Sequence, residues 1–310
     1  MKISCAQLAI YIMKILYFNH RSNTLSNNFT RNLRTMKEIQ LKDIDWNSLW
    51  KKAKSKKSWK SKGVEDWDRK AESFSKRNAR SDYNEKFITL LQPEKSWTLL
   101  DIGSGPGTLA IPLAEHVSHV TALDFSPNML AILKQRANKR GQKNISTHNL
   151  SWEDDWKEKG IRVHDVAIAS RSLAVKDLRP ALEKLNSFAR KGVFITDRVG
   201  HGPFDQAAFK AVGRELKTGP DYIYTFNLLY QMGIRAKVDF IHLGNQSTYS
   251  SLDDAVENNT WMFQNLTADE KKRLKKYIQS ITTTANDGTV TVTRKHIPIW
   301  AFISWQPEAK

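Results

Sequence analysis

An apolar run, Thr98-Leu99-Leu100-Asp101-Ile102, breaks directly into Gly103-Ser104-Gly105-Pro106-Gly107 and then into a helix-permissive stretch from Thr108. This strand, glycine turn and helix constrain the chain more than any compositional figure. Glycines let the backbone approach a ligand closely, and the first turn of the following helix offers unpaired N–H groups that suit a carboxylate or phosphate. The spacing discriminates between ligands: dinucleotide sites favour Gly-x-Gly-x-x-Gly, whereas this turn is Gly-x-Gly-x-Gly with an Asp just before it. Seventeen residues after Gly107, a second apolar run ends in Asp124. A carboxylate there stands beside the first strand at its C-terminal edge, where it can accept hydrogen bonds from both hydroxyls of a ribose.

The surrounding texture agrees. From Ser96 short apolar runs alternate with helical patterns: strands at Thr98 to Ile102, His119 to Leu123, Asn144 to Leu150, Val163 to Ala169 and Gly192 to Thr196, and helices at Leu109 to His116, Asn128 to Lys139 and Asp177 to Arg190. This is the rhythm of βαβ units, which predicts an α/β fold with a parallel sheet covered by helices on both faces. Beyond Asp197 the pattern loosens. It predicts a helix near Asp205 to Lys217, a Gly219-Pro220 turn, helix to Met232 and a strand at Ala236 to Leu243. Two capped helices at Ser251/Asp254 and Thr267/Glu270, a hairpin turn at Asn286-Asp287-Gly288 and a last strand at Ile297 to Trp305 complete it.

Charge is distributed unevenly. Lys and Arg number 49 against 32 Asp and Glu, giving +17 over 310 residues. Residues 1–35 carry five basic side chains and no acid, residues 36–80 carry fourteen and seven, and the remaining 230 carry thirty and twenty-five. Residues 1–35 lack any regular period, and Met36-Lys37-Glu38-Ile39-Gln40 reads as a protein start, so translation is expected to begin at Met36. Residues 36–80 interleave Trp46, Trp50, Trp59 and Trp67 with Lys51, Lys52, Lys54, Lys56, Lys57, Lys60 and Lys62. That pattern predicts a basic helical arm which either docks its Trp residues on the main domain or binds nucleic acid by phosphate contact and base stacking. The expected organisation is therefore a segment 1–35, the arm 36–80, a core 81–200 and substrate-side helices with the final sheet strands in 201–310. The single cysteine, Cys5, excludes a disulfide framework and points to a reducing, cytoplasmic setting, and the apolar stretch Ile3 to Phe18 lacks the features of a signal peptide or membrane span.

Through Leu100-Asp101-Ile102-Gly103-Ser104-Gly105-Pro106-Gly107 and Leu123-Asp124-Phe125-Ser126-Pro127-Asn128-Met129-Leu130, the chain resembles the class I S-adenosylmethionine-dependent methyltransferases over about residues 67–200. The resemblance implies a Rossmann-like, mostly parallel seven-stranded sheet and S-adenosylmethionine as cofactor. It implies that Gly103, Ser104, Gly105 and Gly107 hold the methionine part, that Asp101 supports the turn or the amino group, and that Asp124 binds the ribose. Phe125 and Met129 would then pack near the adenine. In the stretch Asn149 to Asp154, Ser151 stands at the usual Asp position, and Trp152 and Glu153 are the residues carried over to the adenine. Glu153 and Asp154 have a second reading as the acidic start of a helix capped by Ser151. Ser170 and Arg171 would face the methyl group and the methionine moiety, and Tyr83 resembles an aromatic that closes over the cofactor.

Methyl transfer from a sulfonium is an in-line displacement, so the protein mainly aligns the acceptor and excludes water. The fourth strand ends in Ala169-Ser170-Arg171-Ser172, unlike the Asn-Pro-Pro-Tyr ending that resembles exocyclic-amine methyltransferases, and the core has no Cys for covalent attack on a pyrimidine. The acceptor is expected in a site built from Trp67 to Tyr83, Asp197 to Tyr230 and Leu252 to Ser280. His201 is a candidate base there, and Tyr222 and Tyr224 are candidates to orient the acceptor, although a turn residue between two glycines and two packing residues beside a Gly-Pro turn are the stronger readings. A small molecule is the favoured acceptor. RNA held by the basic arm is the second reading, and a catalytically silent scaffold binding the cofactor the third.

Overall fold

The computed structural model describes residues 40–58, 63–78 and 81–308. The expectations for residues 1–35 and Met36, and those for Trp59, Lys60 and Lys62, fall outside them. Residues 1–44 form one unit and 45–310 another. The described part of the first is a 3-10 turn at Leu41–Asp43, closed by a reciprocal cap between Gln40 and Asp43.

In the second unit the chain runs α1 (Trp46–Ser55), α2 (Val64–Asn78), α3 (Tyr83–Leu91), β1 (Thr98–Ile102), α4 (Ala110–Leu113), β2 (His119–Asp124), α5 (Pro127–Lys139), β3 (Ile145–Asn149), β4 (His164–Ser170), α6 (Leu178–Ser187) and β5 (Ala189–Arg198). It continues through α7 (Gln206–Val212), α8 (Tyr222–Gln231), β6 (Lys237–His242), β7 (Gln246–Tyr249), α9 (Leu252–Thr260), α10 (Ala268–Ser280), β8 (Thr282–Thr284), β9 (Val290–Thr293) and β10 (Ile299–Trp305). Seven strands form one sheet in the order β3-β2-β1-β4-β5-β10-β6, with β10 antiparallel to both neighbours and the β1–β5 pairings parallel. The expected Rossmann-like α/β fold is thus observed.

The period-2 alternation of the strands divides the core between the two faces. Leu100, Ile102, Ala167, Ala169, Val193, Ile195 and Ile303 pack with Trp50, Leu178, Leu182, Leu185 and Leu228 on one side. Leu99, Val120, Ala122, Val166, Ile168 and Phe302 pack with Tyr83, Phe87, Leu113, Leu130 and Leu133 on the other. The arm's first helix belongs to this core: Trp50 is 3% exposed, Trp46 meets Tyr224 edge-on at 6.2 Å, and Lys51 pairs with Asp177.

Several elements differ from the sequence reading for local reasons. The helix expected over Leu109 to His116 shortens to Ala110–Leu113, after which 115 and 116 close tight turns on Pro112 and Leu113. The helix expected to reach Lys217 stops at Val212, where Gly213 takes the left-handed conformation (φ 85°) that ends helices. In the C-terminal half, β7, β9 and β8 leave the main sheet and pair antiparallel as a separate three-stranded sheet, with the 286–288 turn joining β8 to β9. Phe209, Met262, Phe263, Leu274, Ile278 and Val292 form its own hydrophobic core with α7, α9 and α10. Arg214 clamps Glu270 through two bonds of 2.6 and 2.7 Å, joining the loop after α7 to the start of α10. None of the helices formed by the described residues is long and apolar enough to cross a membrane.

Candidate functional site

The glycine turn sits where β1 ends, with β2 on one side and β4 on the other. All three glycines have positive φ, at 69°, 55° and 77° for Gly103, Gly105 and Gly107, a region that other L-residues enter at a cost of about 1–2 kcal/mol. Their surroundings differ. A Cβ at Gly103 would stand 2.5 Å from Ser172 Cβ, and one at Gly107 would stand 2.7 and 2.9 Å from Ile111 and Leu133. At Gly105 it would meet, among the described residues, only Phe74, at 3.9 Å. Gly103 and Gly107 thus serve close packing of strand against loop and helix, whereas Gly105 faces open space.

That space is a cavity of about 550 Å³ at the C-terminal ends of β1, β2 and β4, where parallel sheets bind ligands. A larger, open cleft of about 1180 Å³ lies at the opposite edge, around Val166, Gly192 and Trp305. The cavity is lined by Asp101, Gly103, Ser104, Gly105, Asp124, Phe125, Met129, Trp152, Glu153, Ser170 and Arg171, so the fold brings together all the residues carried over to the cofactor except Gly107. His201, Tyr222 and Tyr224 do not line this cavity. His201 meets the ring of His296 at 5.9 Å, Tyr222 packs on Phe240 at 5.6 Å and Tyr224 on Trp46. Tyr222 and Tyr224 thus pack on β6 and α1, and His201 on the segment that precedes β10.

Asp124 is 5% exposed, and its two oxygens accept from Gly105 N (2.8 Å) and Ser126 N (2.9 Å). A carboxylate offers about four lone-pair directions, so two remain for a ligand. Burial pushes its carboxyl up while the two amides pull it down. Asp101, 2% exposed, has Oδ2 buried without a partner among the described residues. Burial, reinforced by the Asp124 charge, pushes Asp101 up to about 8. Ser104 Oγ and Thr108 Oγ1 are likewise buried without a partner, and both border the cavity. Such orphaned polar atoms are rare in native cores, and three of them at one cavity wall can be satisfied by a bound ligand or water.

Helix α2 roofs the cavity. Val64, Trp67, Ala71 and Phe74 recur at three- and four-residue spacing; Ala71 is 2% exposed, and Val64, Trp67 and Phe74 line the cavity. Asp68 of the same helix accepts from Ser126 Oγ and Asn128 N, which ties the roof to the start of α5. The sequence led us to expect Trp67 to Tyr83 beside the acceptor, and the apolar spacing within α2 is what sets Val64, Trp67 and Phe74 on its cavity side. Thr108 and Ser172 were missed from sequence, being single polar residues with no spacing of their own.

Two further expectations change. Tyr83 does not close over the cavity: it is fully buried, with its hydroxyl 2.7 Å from both Ser170 Oγ and Thr196 Oγ1. Residues 151–160 form turns instead of a capped helix, because Asp154 folds back to accept from Ser151 N and Oγ at 2.6 and 2.8 Å. Glu153 is left facing the cavity, beside Trp152, whose indole donates to Ser172 O at 3.1 Å.

Comparison with known proteins gives this geometry a family. Residues 99–192 match a family described as a methyltransferase domain. An uncharacterized protein of Haemophilus influenzae is 36% identical over 242 residues, covering 77% of this chain and 88% of its own length. The ubiquinone/menaquinone biosynthesis C-methyltransferase of Zymomonas mobilis is 36% identical over 73 residues, 24% of this chain and 28% of that protein. A solved S-adenosylmethionine-dependent methyltransferase of Geobacter sulfurreducens, in complex with S-adenosyl-L-homocysteine, overlays with a TM-score of 0.42 at 15% identity, over 72% of this chain and 91% of that one. With the glycine turn and both acidic strand ends inside the matched segment, residues 99–192 are a class I S-adenosylmethionine-dependent methyltransferase domain, and S-adenosylmethionine is its cofactor.

Proposed function

We propose that the cavity holds S-adenosylmethionine along the strand ends and transfers its methyl group to a small-molecule acceptor entering beneath α2. The observation that carries the cofactor placement is the trio of unpartnered buried atoms, Asp101 Oδ2, Ser104 Oγ and Thr108 Oγ1. One acceptor and two hydroxyls beside a glycine turn match an amino-acid zwitterion: the carboxylate of Asp101 pairs with the ammonium, and the hydroxyls donate to the carboxyl group. The spare lone pairs of Asp124 take the ribose diol, and Met129, Phe125 and Trp152 supply apolar faces for the base.

When bound, the cofactor supplies a methyl carbon whose bond to sulfur breaks as an acceptor lone pair forms the new bond, the sulfur keeping the electron pair. The residues of this chain then act by position. Asp101 and Asp124 hold the two ends of the cofactor, and Trp67 and Phe74 cover it against water, which favours an in-line approach by the acceptor. Cavity size supports a small acceptor, since about 550 Å³ lies within the 300–1,000 Å³ usual for small-ligand sites. The packed state of Trp46 and Trp50 supports it too, because neither ring is presented for base stacking.

Calorimetric titration of the full chain with S-adenosylhomocysteine, alongside NAD, tests the placement. Binding of the former alone, weakened at least tenfold in Asp124→Ala, is expected, because each hydrogen bond to a charged acceptor is worth about 1.5–3 kcal/mol. Unchanged affinity in a folded Asp124→Ala variant would refute it.

A further inference from the structure

Arg171 follows the last residue of β4 and lines the cavity. Its φ is 56°, a conformation that a non-glycine residue holds only where its surroundings over-determine it. They do so here: Arg171 N donates to Thr196 Oγ1 at 3.0 Å, and the same hydroxyl meets Tyr83, which also holds Ser170. The guanidinium lies 4.1 Å over the Tyr83 ring and 5.9 Å from that of Trp300. Among the described residues no carboxylate pairs with it. A half-buried cation is thus strained, stacked and left without a counter-ion at the wall of a ligand cavity.

We propose that Arg171 is the acceptor anchor, and that the methyl acceptor is a monoanion whose carboxylate docks on this guanidinium. The proposal rests on reading the cavity as the methyl-transfer site. Strand order supplies the direction. Asp124 ends β2, the glycine turn follows β1, and Arg171 follows β4, while the guanidinium leans further along, toward Trp300 of β10. A cofactor with its ribose at Asp124 and its amino acid over the glycine turn spends its own charges on Asp101, Ser104 and Thr108. Arg171 is then the next group beyond the transferred methyl. The planar fork of a guanidinium matches a carboxylate through two parallel N–H bonds, and ring stacking fixes that fork in place. Asp124 and Glu153 line the same cavity, offset in part by Lys176, and their repulsion favours a single negative charge over a phosphate dianion.

The test uses the full chain saturated with S-adenosylhomocysteine and two probes of one shape, benzoate and neutral benzamide. Benzoate is expected to bind more tightly by about tenfold or more, since a charge-assisted bond is worth at least that ratio. Arg171→Gln should abolish the preference while leaving affinity for S-adenosylhomocysteine within about threefold, and Arg171→Lys should restore part of it. Retained cofactor affinity also certifies that the variant is folded. Equal binding of the two probes by the wild type overturns the proposal, as does a preference that survives Arg171→Gln. So does a loss of S-adenosylhomocysteine affinity with 5′-methylthioadenosine, which lacks the amino-acid part, binding as before, because the guanidinium would then hold the cofactor's carboxylate. A wild-type chain that binds no S-adenosylhomocysteine is a distinct result: it removes the methyl-transfer reading itself, and the anchor falls with it.

Discussion

Alanine substitution at the three turn glycines should separate folding from ligand binding. Gly105→Ala forces a φ of 55° on an alanine but adds a methyl with no neighbour among the described residues nearer than 3.9 Å, so its expected cost is the left-handed penalty alone, about 1–2 kcal/mol. Gly107→Ala bears the same penalty and drives its methyl within 2.7 and 2.9 Å of Ile111 and Leu133; overpacking brings the loss to about 2–5 kcal/mol. Gly103→Ala behaves like Gly107→Ala, since Ser172 Cβ would lie 2.5 Å away and is carried directly on the backbone. Ligand affinity should rank the other way. Phe74, the neighbour of a Gly105 methyl among the described residues, lines the cavity, so the methyl stands where the cofactor must approach and should weaken S-adenosylhomocysteine binding by about tenfold or more, about 1.4 kcal/mol. Urea unfolding and calorimetry on all three variants provide the two readouts. Equal destabilisation of Gly105→Ala and Gly107→Ala, with S-adenosylhomocysteine affinity unchanged in Gly105→Ala, would refute the division of labour.

Asp101, raised from 3.8 to about 8, binds its proton more tightly folded than unfolded, so ligand-free stability should fall as pH rises from about 4 to about 8. A cofactor ammonium needs the carboxylate form; below pH 8 binding should release a proton and weaken by up to about tenfold per pH unit. Calorimetry at pH 7 in two buffers of different ionisation enthalpy detects that proton; buffer-independent heats would refute the pairing, and Asp101→Asn should flatten both profiles. Tyr83→Phe removes a hydroxyl shared by Ser170 and Thr196 and should cost about 1–3 kcal/mol in urea unfolding, because both partners lose a buried bond. An unchanged midpoint would mean that this buried trio does not brace the end of β4.

What could be read along the chain was local. Strand β1, the glycine turn, β2 and Asp124 follow one another within 27 residues, and each rests on a short-range rule: apolar runs make buried strands, positive φ calls for glycine, and a βαβ step sets two strands side by side. Those rules determined the fold class, the glycine turn and Asp124, while the expectation for Phe125, Met129, Trp152, Glu153, Ser170 and Arg171 came from the resemblance to the methyltransferases. Residues far apart in sequence were decided by packing. Trp67 and Phe74 reach the site only because α2 docks on α5 through Asp68 and Ser126. Tyr83 lies beneath the site because its ring is enclosed by β4, β5 and β10, and His201, Tyr222 and Tyr224 are drawn into other contacts. The solitary charge of Arg171 is likewise a tertiary property. A sequence records that an arginine follows a strand, but which carboxylates fail to reach it depends on where every other segment comes to rest.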